Sequence, residues 1–93
     1  MDKQNVQLTP EVIAALNEEL AYQNGIAGTS RADDINDNGV AGWVVTLNTY
    51  ARKANDAWAL NAGDEKALHE LRKCAAIAIR ALVRHGCPRR VLS

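Results

Sequence analysis

Apolar side chains fall at helical spacing in three stretches of this chain. Val12, Ile13, Leu16 and Leu20 recur at three- and four-residue intervals, the period of an α-helix. Thr9, Pro10 and Glu11 before them read as an N-cap, a first-turn proline and an acid that complements the helix dipole. The spacing predicts a first helix over about 10–23, stopped by Asn24-Gly25, with Tyr22 pointing away from its apolar stripe. A second helix is predicted over about 39–60. Trp43, Leu47, Tyr50, Ala54 and Trp58 share its apolar face and read as core; Asn48, Thr49, Arg52 and Asn55 lie opposite, with Val45 alone among them. A third helix is predicted over about 65–85, its apolar arc running through Leu68, Leu71, Cys74, Ala75, Ile79 and Leu82. Asn61-Ala62-Gly63 stops the second helix and Asp64 is expected to cap the third. So short a connection predicts an antiparallel hairpin. The expected fold is all-α: one small domain over 1–93, with a short N-terminal helix, a loop over 24–38 and a long helical hairpin.

The width of the third helix's arc bears on assembly. An arc of about 200° is more than one neighbouring helix covers. At 93 residues the chain is too short for two cores, and a chain of this size buries only about 60–65% of its unfolded surface. Alanines on both long helices allow close approach but bury little area each. A homo-oligomeric helix bundle built through the second and third helices is therefore expected. Val45 and Ile77 are candidate contacts, since each is a branched apolar residue on an otherwise polar face.

Composition narrows the function classes. Hydrophobic residues make up 47% and charged residues 24%, an ordinary globular balance. Eleven basic residues offset eleven acidic ones, which excludes a global basic field for nucleic acid. The neutrality is a cancellation between ends. Residues 1–40 hold seven acids and two bases; residues 65–93 hold seven bases and two acids. No run approaches the ~18 apolar residues of a membrane span, so no membrane partner is expected. The polar start lacks a signal-peptide core, and Cys74 and Cys87 lie too far apart along a helix for a disulfide. Free thiols suggest a reducing cytoplasm.

Candidate chemistry is sparse. Asp34-Ile35-Asn36-Asp37-Asn38-Gly39 matches the start of a calcium loop, but Val45 stands where its bidentate Glu belongs, so no metal site is expected. No cofactor is expected either. There is no nucleophile motif and no glycine-rich phosphate loop, and His69 and His85, the two histidines, both look exposed. Arg72 falls at the edge of the third helix's apolar arc. It must snorkel, pair with an acid from the first forty residues, or bind an anion. Lys73, Arg80 and Arg84 lie on that helix's polar face. They read as dipole-complementing surface, or as a docking face for a phosphate or a protein. Double-stranded DNA is disfavoured because no reading motif is present. Tyr22, Arg31, Arg52 and Lys53 complete a polar, partly aromatic set that with Arg72 could stack a base and meet phosphate.

From Trp43 to Gly86, about half the chain, the sequence resembles small phage-encoded relatives of MazG-type nucleotide pyrophosphohydrolases. The resemblance rests on Trp43 opening a helix, a small-residue helical segment, the Gly63-Asp64 turn and the segment Leu71 to Leu82. It implies an all-α fold and ancestry in nucleotide chemistry. The family's acidic magnesium motif is missing: its first part falls on Thr49, Tyr50 and Lys53, and Glu70 is followed at i+3 by Lys73. Hydrolysis is therefore expected to be lost. The leading expectation is a non-enzymatic binding protein, a phage accessory or counter-defence factor in the host cytoplasm. It would capture a nucleotide, a cyclic nucleotide or a related signal through Tyr22, Arg31, Arg52, Lys53 and Arg72. The alternative is an interaction module that docks a host or phage protein through Arg80 and Arg84. A divergent pyrophosphohydrolase is the third reading.

Overall fold

The computed structural model describes residues 6–25, 39–61 and 63–91. They form three helices and no strand: α1 at Pro10–Gly25, α2 at Gly39–Asn61 and α3 at Asp64–His85. None of these helices is long and apolar enough to cross a membrane. Arg31 and the calcium-like segment Asp34 to Asn38 lie outside the described residues.

Local chemistry sets the helix ends. The Thr9 hydroxyl accepts the Val12 N–H at 3.2 Å, and the Thr9 carbonyl accepts the Ile13 N–H at 3.0 Å. This is the N-cap expected from the sequence. The start of α3 differs from expectation. Gly63 takes the cap position in extended backbone and no side chain bonds the free N–H groups, so Asp64 is a first-turn residue. Together with Glu65 it still complements the dipole. At the far end Gly86 has φ 110 and donates its N–H to the Leu82 carbonyl at 2.9 Å. That backbone conformation is open to glycine and strained for other residues.

The helices pack in series. α2 runs against α3, α1 rests on α3, and α1 and α2 make no contact among the described residues. Trp43, only 3% exposed, packs against Ile77, with Leu47, Tyr50 and Ala81 around the pair. Ala54, Cys74 and Ala76 are also buried.

This arrangement corrects two expectations. Ile77, expected as an exposed contact between copies, is core, because α3 turns its mixed face inward. Glu70, Lys73, Cys74, Ile77, Arg80 and Ala81 are all buried or half-buried there. The more apolar arc faces outward instead: Leu68 is 62% and Leu71 51% exposed, and Leu82 and Val83 are exposed as well. Trp58, expected in the core, is 59% exposed. It sits about 60° around the helix from Trp43, beyond the strip that α3 covers. Val40 and Val44 share its exposure.

Candidate functional site

Two features meet where α1 crosses α3: a polar seam and an apolar groove. The seam starts from Glu19 and Gln23, which lie one turn apart on α1 and are both buried. A buried carboxylate needs a charge partner and a buried amide needs its hydrogen bonds. α3 supplies both. Arg72 Nε donates to Glu19 Oε1 at 3.0 Å. Gln23 Nε2 donates to Glu19 Oε2 at 2.9 Å and to the Lys73 carbonyl at 3.4 Å. Arg80 Nη1 donates to Gln23 Oε1 at 3.2 Å. Arg72 Nη1 also lies 2.6 Å from His69 Nδ1.

Arg80 links the seam to the core. Its guanidinium lies over the Trp43 ring, 5.1 Å from the centroid. Burial there, and next the charge of Arg84, lower its pKa from the ordinary arginine value. Trp43 Nε1 donates to His85 Nε2 at 3.0 Å, and the two rings meet edge to face at 6.5 Å. His85 is exposed but engaged. Lower on α3, Lys73 Nζ bonds Glu70 Oε2 at 3.0 Å, while Glu70 Oε1 is buried without a hydrogen-bond partner. Burial, and next the Glu70 carboxylate, push the Cys74 thiol pKa up, so it is a poor nucleophile.

The groove lies beside the seam. Val12, Ala15 and Leu16 of α1 form one wall and Leu68, Leu71 and Ala75 of α3 the other, around an open volume of about 480 Å³. Its polar rim is Glu65, His69 and Arg72.

The structure spreads the sequence-derived site residues over all three helices. Arg72 takes the acid-paired role weighed for it, held by Glu19. Tyr22 is exposed on α1; Arg52 and Lys53 are exposed on α2, Lys53 with its ammonium 4.6 Å from the Tyr50 ring centroid. One chain does not bring Tyr22 together with Arg52 or Lys53, because α1 and α2 do not touch. Val45 and Arg84 are exposed, whereas Ile77 and Arg80 face inward. Sequence reasoning missed Glu19 and Gln23, whose i, i+4 spacing beside the apolar stripe was the available signal.

The positions aligned with the acidic magnesium motif do other work. The Thr49 hydroxyl donates to the Val45 carbonyl at 3.1 Å, Tyr50 packs at the core, and Lys73 neutralises Glu70. Among the described residues no group of three or more His, Cys, Asp or Glu side chains is placed to hold a metal ion. No family model matches this chain, and neither a curated protein nor a solved structure matches it.

Proposed function

We propose that the chain is a non-enzymatic helical interaction module: it self-associates and presents the outer flank of α2 to another protein. The observation that carries this reading is the uncovered apolar surface. Leu68, Leu71 and Leu82 on α3 and Val40, Val44 and Trp58 on α2 are all exposed in one protomer. Leu68 and Leu71 also wall one apolar groove with Val12 and Leu16 of α1, and an exposed apolar patch on a small chain marks an interaction site. Lys73 on Glu70 supports the loss of metal-dependent hydrolysis. The Trp43–His85 bond joins the first turns of α2 to the last turn of α3, which supports the antiparallel hairpin. Free Cys74 and Cys87 fit a reducing compartment such as the cytoplasm, the host's if the chain is phage-encoded.

Nucleotide capture belongs to the assembled form, where Tyr22 of one copy would have to meet Arg52 of another. Calorimetry against mono-, di- and cyclic nucleotides tests it directly. For the interaction module, affinity capture from a bacterial lysate compares the wild type with Trp58→Glu. A protein retained by the wild type and lost with Trp58→Glu supports the reading. Identical capture by both, with no wild-type-specific protein, contradicts it.

A further inference from the structure

We infer that the groove between α1 and α3 seats α3 of a second copy, antiparallel to the first. The inference rests on the self-association proposed above and adds its geometry. Leu68, Leu71, Ala75, Ala78 and Leu82 follow the three-four spacing of a coiled-coil seam. That seam lies on the side of α3 turned away from Trp43, with its leucines exposed and its alanines half-buried. Leu68, Leu71 and Ala75 also wall the groove, so a helix laid along the seam meets Val12 and Leu16 of α1 as a second wall. The small Ala75 and Ala78 at the middle allow close approach of two backbones, with larger leucines filling the layers on either side.

Charge fixes the direction. The first turn of α3 carries Asp64 and Glu65; the last carries Arg84 and His85, followed by Arg89 and Arg90. Parallel copies would stack basic end on basic end. Antiparallel copies set each acidic end against a basic end and align the helix dipoles favourably. The register that matches seam layers puts Leu71 against Leu82 of the second copy and Ala75 against its Ala78. In that register Glu65, on the groove rim, falls level with position 88 of the other copy, next to its Cys87.

Cysteine cross-linking distinguishes the arrangements. Glu65→Cys is made with Cys74→Ala, leaving Cys87 native. Within one chain positions 65 and 87 are roughly 33 Å apart at 1.5 Å per residue, far outside disulfide reach, so a 65–87 link must join two copies. The protein is oxidised under dilute conditions and its proteolytic peptides are identified by mass spectrometry. A dimer in sedimentation with the 65–87 link is expected. A dimer linked only 65–65 and 87–87 overturns the antiparallel seam while leaving self-association standing. A folded monomer overturns both. Leu71→Glu buries a charge in the seam and is expected to weaken the dimer on the order of 100-fold. If that variant fails to fold, the cross-link still decides.

Discussion

Trp43 is the residue on which the α2–α3 contact most depends, and its contributions separate experimentally. The side chain is 3% exposed and packs against Ile77, Leu47, Tyr50 and Ala81. Truncating a buried Trp to Ala costs roughly 3–5 kcal/mol. At about 0.05–0.15 kcal/mol per residue, a chain this size has about 5–14 kcal/mol of stability, so Trp43→Ala takes most of it at the lower end. Trp43→Phe is the finer probe. It keeps an aromatic ring beneath Arg80 but removes the N–H that donates to His85 at 3.0 Å. The net value of one such bond is about 0.5–1.5 kcal/mol. The assay is a double-mutant cycle of Trp43→Phe and His85→Ala, read by urea denaturation with circular dichroism. All four proteins are held at one concentration, because self-association makes stability concentration-dependent. The expected coupling is about 1 kcal/mol. Coupling near zero would mean that the bond does not tie the start of α2 to the end of α3, and the account of that contact would fail.

Other perturbations follow from the same contacts. Glu19→Gln leaves Arg72 without its charge partner and is expected to cost about 1–3 kcal/mol in the docking of α1. Hydrogen exchange should show faster exchange in α1 with α2 and α3 unchanged; uniform protection would contradict the seam. The Cys74 thiol has its pKa raised above the ordinary 9.0, so the folded state holds that proton more tightly than the unfolded chain. The resulting stabilisation is fully present below 9.0 and is lost as pH rises through the higher folded value. The stability of the wild type against denaturation should therefore fall with rising alkalinity more steeply than that of Cys74→Ala, and parallel curves would contradict the burial.

The helices were legible because capping and periodicity are local. Thr9 before Pro10 marks an end with chemistry that needs no tertiary partner. The faces were harder to read. An apolar arc predicts burial but not what buries it, and in one protomer Leu68 and Leu71 stand exposed. Ile77 looked like a stray apolar residue among charges. Those charges are themselves part of the packed side, since Arg80 lies over Trp43 and reaches Gln23. The polar seam joins residues more than fifty positions apart, such as Glu19 and Arg72, and no local pattern encodes that pairing. For Arg72 the wheel position left snorkelling, an acid or an anion; only the position of α1 selects Glu19.

Sedimentation equilibrium of the wild-type chain at micromolar concentration probes the outward apolar face of α3 most directly. The mass expected is twice the 10.1 kDa of one chain, and Leu71→Glu should shift it toward the single-chain value. A helical, cooperatively folding species of 10.1 kDa at that concentration would contradict the account.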